Sequence, residues 1–368
     1  MRFFGSGAFL ESDTLEQTAA DLRRWTVEQA LPLWAAAGFD EANDRFEECL
    51  SLTGNRTADV PIRLIVQARQ IYSYALAARR NWYPEALSLV ERAYRSMVRD
   101  FYRPDGRDGW VFSVRRDGSI ADGRRDLYSH AFALLAISSY VQATGKREAL
   151  ALVDETLAFI DTRLHAAKSG GYVEELPTTS DRRRQNPHMH LFECMLSLWT
   201  NTGEARYLAR AGEIFGLFSS RFFRAESGTL GEYFDDVLRP ASGAAGDIVE
   251  PGHHCEWVWL LRWFERESRR SVQPYADALF PHAENHGYDS AGLMIDEITI
   301  AGAHLTPSHR VWPMTEAIKA NIAEARLGRA GAAAKAASLG QLLMERFLKP
   351  ACAGGWIDRL DAEGAPST

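Results

Sequence analysis

GWVFSV, residues 109–114, is a glycine followed by aromatic and β-branched residues, and four further stretches are built the same way. They are GGYVEEL around Gly171, GEYFDDV from Gly231, GLMIDEI from Gly292 and GGWIDRL around Gly355. Each reads as a short strand or hairpin arm, because β-branched and aromatic side chains favour extended backbone and glycine punctuates it. The intervals between successive glycines are 62, 60, 61 and 63 residues. One period back from Gly109 lies Arg45-Phe46-Glu47-Glu48-Cys49-Leu50, a degenerate first copy. A fixed spacing near sixty residues is the mark of a repeat architecture.

The intervening sequence is helical in period. Apolar residues recur at helical spacing over 14–37, 61–80, 84–101, 127–144, 147–165, 188–202, 205–223, 253–269, 272–287, 312–328 and 330–348, which makes eleven segments and two per repeat. Six such units predict an all-α fold, an (α/α)6 barrel with short β-hairpin insertions, in which alternate helices form an inner and an outer ring. Residues 1–368 then form one catalytic domain. An open helical solenoid is the rival, since periodicity alone does not say whether a stack closes. The last strand-like piece has no helix after it, so the register expects a twelfth helix beyond Thr368.

A chain of 368 residues with 46% hydrophobic and 25% charged residues has the composition of a globular protein. A net charge of -7 argues against a nucleic-acid partner, whose phosphates demand a clustered basic face. Cys49, Cys194, Cys255 and Cys352 are far apart and form no C-x-x-C, which suggests reduced thiols in a cytoplasmic protein. MRFFGSGAFLESDT at the N-terminus has too short an apolar run for a signal peptide, and no apolar stretch reaches eighteen residues, so no membrane partner is expected.

Polar residues collect at the starts of the helices that follow the strand-like pieces. In EPGHHCEWVWLLRWF, residues 250–264, a Pro-Gly pair runs into His253, His254 and Glu256 and then into a Trp-rich apolar run. His253 and Glu256 are three apart and share a helix face, so the carboxylate can orient the imidazole. The amide N–H groups of a first turn lack intrahelical partners and suit substrate oxygens. The same position in other repeats carries Arg69, Gln70 and Tyr72 in VQARQIYSY, and Tyr128 in DLYSHAF. NPHMHLFE supplies Asn186, His188, His190 and Glu193, and RVWPMTE supplies Arg310, Trp312 and Glu316. Taken singly, each admits a packing role: Arg69 as a core arginine paired with an acid, Tyr128 as a buried tyrosine, Trp312-Pro313 as an ordinary helix start. A divalent metal on His190, Glu193, His253 and Glu256 is the alternative chemistry. H-x-x-E is not a zinc signature, however, and the Trp, Asn, Arg and Tyr neighbours suit a sugar.

RQIYSY, DLYSHAF, NPHMHLFE, EPGHHCEWVWLL and RVWPMTEA, in this order and spacing, resemble the N-acylglucosamine 2-epimerase superfamily, which includes mannose isomerases and cellobiose 2-epimerases. The resemblance covers almost the whole chain and implies the (α/α)6 fold. It also implies His253 as a catalytic histidine, Glu256 as its carboxylate partner and His190 as a second, substrate-side histidine. Arg69, Tyr128, Asn186 and Trp312 match its sugar-contacting positions. A further catalytic histidine of the family stands on a last helix, past the end of this sequence. The implied reaction moves the C2 proton of a monosaccharide through a cis-enediolate without a redox cofactor, and the ligand types call for no metal. The expected form is aldose–ketose isomerisation of the D-mannose to D-fructose type, with a homodimer possible. N-acylglucosamine 2-epimerisation, glycoside hydrolysis by Asp235, Asp236, Asp247 or Glu250, and a non-catalytic sugar-binding barrel are the alternatives. Arg182, Arg183 and Arg184, just before Asn186, leave a phosphorylated substrate open.

Overall fold

Leu127–Thr144 is apolar or small at nearly every position, so it has no solvent face to offer; in the computed structural model its side chains from Ser129 to Val141 are buried without a break. Asp126 caps it by accepting the Ser129 N–H, and Gly145 ends it in the left-handed region at φ +74°. Ala86–Phe101 instead buries one stripe, Ala86, Leu89, Val90, Ala93, Met97 and Phe101, and turns Ser88, Arg95 and Arg99 outward. The first pattern is that of an inner helix and the second that of an outer one.

The structure describes residues 6–57, 60–350 and 352–367, so Met1 to Gly5 of the N-terminal stretch discussed above lie outside it. The helices are α1 Ser6–Trp25, α2 Leu31–Ala36, α3 Leu64–Arg80, α4 Ala86–Phe101, α5 Leu127–Thr144 and α6 Leu150–Phe159. They continue as α7 Asn186–Thr202, α8 Ala205–Leu217, α9 Pro251–Ser268, α10 Gln273–His286, α11 Val311–Ala325 and α12 Ala332–Arg346. Each of the eleven segments expected from sequence is helical, the first being interrupted by a π turn at Thr26–Ala30. Two compact units share these elements. In one, residues 31–221 and 233–241, α3, α5 and α7 pack side by side, with α4, α6 and α8 each against its predecessor. In the other, residues 1–30, 222–232 and 242–368, α9 packs beside α11, α10 covers α9, and α12 lies against α11 and α1. Among the described residues no helix is long and apolar enough to cross a membrane, and all four cysteines are free thiols.

The strand-like pieces join one repeat to the next. The two residues before an inner helix pair antiparallel with the following repeat's piece. Ile62–Arg63 pairs with Ser113–Val114, Arg125–Asp126 with Glu175–Leu176, and Arg183–Arg184 with Tyr233–Phe234. Ile248–Val249 pairs with Glu297–Thr299 and His309–Arg310 with Arg359–Leu360. Two-residue ladders are weak alone, and a second contact fixes them. His130 Nε2 accepts the Trp110 N–H at 3.1 Å, His188 Nε2 the Tyr172 N–H at 3.0 Å and His254 Nε2 the Leu230 N–H at 3.0 Å. Gln67 does the same for Phe46 at 2.9 Å, and Met314 Sδ for Met294 at 3.3 Å. A Cβ at Gly109 would stand 2.8 Å from His130 Nε2, and one at Gly171 2.8 Å from His188 Nε2. That close approach, with φ of +85° and +63°, is why glycine recurs at these two places.

His188 therefore serves the fold, although its place at a helix start suggests chemistry. An accepting nitrogen must be unprotonated, and burial holds His130 down to about 4 and His188 down to about 3. Their folded values lie below the ordinary 6.5, so the unfolded chain binds more protons as acid is added. Stability is expected to fall between about pH 6.5 and 3. His130→Ala strands a buried N–H and is expected to cost about 1–3 kcal/mol. His130→Gln, mimicking Gln67, recovers part of that loss and flattens the acid slope, as read from urea midpoints at pH 7 and pH 5.

Candidate active site

Arg69 leaves the first turns of α3 from an exposed position, and its Nη2 donates to the Tyr128 hydroxyl at 3.1 Å. Its guanidinium carbon lies 4.4 Å from the centre of the Phe132 ring. Among the described residues Arg69 makes no ion pair, which removes the reading of a core arginine neutralised by an acid. The His190 ring stands edge-on to Tyr128 at 4.9 Å and 4.6 Å from Phe132. Its Nδ1 meets Glu193 Oε2 at 3.1 Å. Asn186 opens α7, and its Oδ1 is buried with no donor among the described residues, an acceptor that a ligand hydroxyl can satisfy. One unit thus gathers Arg69, Tyr128, Phe132, His190 and Glu193 on the starts of three adjacent helices. Phe132 is an apolar residue in an apolar run and gave no sign of this in the sequence.

The other unit builds around His253. Pro251 and Gly252 begin α9, and a Cβ at Gly252 would fall 2.7 Å from the Trp312 indole, so glycine lets that ring close over the helix start. The His253 and Trp312 rings are 5.0 Å apart. The carboxylate on His253 Nδ1 is Glu232, at 2.9 Å, and not the expected Glu256. Glu256 lies a turn further along α9, buried, and acts on the imidazole through space. Glu250 stands 3.8 Å from the same nitrogen and is tied at 3.1 Å to Arg310 Nη2, whose Nε is held by Asp296 at 3.0 Å. Burial opposes a charged imidazole, yet Glu232 and then Glu250 outweigh it, and His253 is raised to about 10. Burial also pushes the Glu250 carboxyl above the usual carboxylate range. Side-chain atoms of Glu232, Glu250 and His253 lie within 4.8 Å of one another. The Nδ1 proton already bridges the histidine to Glu232, so the cluster reads as an ion pair.

Glu232 was missed, though the sequence marks it. The residue after the repeat glycine is Trp110, Tyr172, Leu293 and Trp356 in four copies, and an acid in this one. Two of the carboxylates weighed for glycoside hydrolysis, Asp235 and Glu250, are engaged otherwise. Asp235 accepts the N–H groups of Val237 and Arg239 together with the Arg239 guanidinium, and Glu250 is held by Arg310. Of the basic run, Arg183 is buried on Ser169, Gly170 and the Asp236 carbonyl, and Arg184 donates its Nε to Glu174 at 2.9 Å and its backbone N–H to the same carboxylate. Arg182 lies over the Tyr233 ring at 5.2 Å.

A family model described as N-acylglucosamine 2-epimerase (GlcNAc 2-epimerase) matches residues 46–368. The chain is 34% identical over 367 residues to a mannose-6-phosphate isomerase of Rhizobium meliloti (strain 1021), covering 94% of this chain and 91% of that protein. It is 26% identical over 323 residues to a D-mannose isomerase of Thermobifida fusca, covering 80% and 79%. The solved structure of cellobiose 2-epimerase from Spirochaeta thermophila DSM 6192 superposes with a TM-score of 0.83 at 23% identity, over 97% of this chain and 91% of that one. The fold class is therefore the (α/α)6 barrel that the repeat count and the resemblance called for.

Proposed function

The chain belongs to the N-acylglucosamine 2-epimerase family and is a carbohydrate isomerase or epimerase, and we propose that its reaction is aldose–ketose isomerisation of the D-mannose to D-fructose type. The observation that carries this reading is the His253 ion pair at the start of α9. A buried imidazole raised to about 10 is charged at neutral pH and supplies a proton to a sugar oxygen as the ring opens or as the enediolate forms. Two relatives named as isomerases of mannose or its phosphate support the direction of the chemistry.

Each side chain has a role in this scheme. Arg69, which no carboxylate among the described residues neutralises, and the Tyr128 hydroxyl stabilise developing charge on the enediolate oxygens. His190, set by Glu193, is the second proton-transfer group, and Asn186 and Trp312 position the sugar. Glu256 adds negative charge beside His253. Isomerisation needs one base to carry a proton between C2 and C1, whereas epimerisation must return it to the opposite face of C2. Arg183 and Arg184 are committed internally and Arg182 lies over Tyr233, so mannose and mannose 6-phosphate are both candidate substrates.

NMR in D2O with mannose, fructose, glucose, N-acetylglucosamine and mannose 6-phosphate sorts these possibilities. The expected result is deuterium incorporation at C2 of mannose with fructose appearing. N-acetylmannosamine from N-acetylglucosamine would replace this reading with 2-epimerisation, and no exchange with any aldose would reject both.

A further inference from the structure

Glu232 is an acid where the fold asks for an apolar residue, since the four other repeats place Trp, Tyr, Leu or Trp after the glycine. Burying a carboxylate is costly unless it is paired, so its presence calls for a task. Its side chain is 3% exposed and that of His253 5%. Glu232 Oε2 lies 2.9 Å from His253 Nδ1, a charge-assisted hydrogen bond. Two other acids bear on the same imidazole. Glu250, ahead of α9, is at 3.8 Å and already accepts from Arg310, while Glu256, within α9, acts only through space. The Trp312 ring packs against the imidazole from α11.

We propose that Glu232 is the positioning residue of His253: it holds the Nδ1 proton in place, so that Nε2 is the nitrogen that exchanges protons with the sugar. The role rests on the isomerase or epimerase reading of His253 given above. A ring hydrogen-bonded through Nδ1 has one tautomer when neutral and one donor direction when charged. The moving proton is the one on Nε2, and the proton on Nδ1 stays on the ring throughout. Negative charge on Glu232 also favours the imidazolium, which fits the elevated titration of His253. The spacing H-x-x-E points to Glu256 for this task, and the distances assign it to Glu232.

Histidine-labelled full-length protein, with the His253 signal identified by its loss in His253→Gln, gives the titration midpoint of that ring directly. Glu232→Gln keeps the size and an oxygen that can accept the Nδ1 proton while removing the charge. It is expected to lower the His253 midpoint by about two pH units, the effect of a lost opposite charge in contact, and Glu256→Gln by less than about one. The same change is expected to lower kcat about 10- to 100-fold with KM within about twofold, and to move the alkaline limb of the rate profile down with the midpoint. A midpoint unmoved in Glu232→Gln, or moved as far in Glu256→Gln, overturns the assignment. So does a wild-type midpoint near 6.5, a result that needs no variant to fold. Absence of turnover on every sugar defeats the proposed reaction, while the titration still decides the role of Glu232.

Discussion

His253→Gln is expected to lower kcat by about two to four orders of magnitude, the usual worth of a positioned acid–base group, while KM for the sugar changes little. The variant also separates chemistry from stability by pH. In the wild type His253 is raised to about 10 from an ordinary 6.5. Its contribution to stability is therefore present in full below about pH 6.5 and is lost as pH rises through 10. Removing the imidazole breaks the buried charge pair with Glu232, a loss of about 3–5 kcal/mol near pH 7. Wild type and variant should therefore converge in urea midpoint as pH climbs toward 10. Convergence on the acid side instead would mean that the imidazole is neutral in the folded protein, and the acid role assigned to it would fall.

The same cluster shows what the sequence could and could not reveal. Helical spacing of apolar residues located the eleven long helical segments, because inner helices need continuous apolar surface and outer helices need a stripe, and both leave a residue pattern. The period near sixty residues located the strand-like pieces, though not their partners. Ile62–Arg63 pairs with Ser113–Val114 across some fifty residues, and a two-residue ladder has no composition of its own. His253, His190 and Arg69 stood out as polar residues in apolar helices. Their neighbours His188 and His254 stood out equally but bind backbone N–H groups. Type and position alone do not separate a histidine that titrates from one that is buried neutral. What separates them is the partner: a carboxylate for His253, a peptide N–H for His254. Glu232 lies twenty-one residues before His253 and reaches it only once the chain has turned back on α9. Local spacing therefore offered Glu256 instead.

Arg69→Met is expected to show the opposite signature, a large loss of activity with almost none of stability. The guanidinium is exposed, donates to Tyr128 and rests on Phe132 at 4.4 Å. An exposed cation–π contact is worth about 0.5–1 kcal/mol, and the methionine stem replaces part of that packing. Among the described residues the same cation has no carboxylate partner, so its charge is available to an enediolate oxygen. Losing one preorganised donor to a developing oxyanion costs about 10²- to 10³-fold in kcat. Arg69→Lys keeps the charge as a compact ammonium that cannot donate to Tyr128 and stack on Phe132 in the same geometry, and recovers less than about tenfold. Steady-state rates on the substrate found by C2 exchange, set beside thermal midpoints, measure both halves. A fall in midpoint that matches the fall in rate would return Arg69 to a packing role and leave Tyr128 as the oxyanion donor on that side.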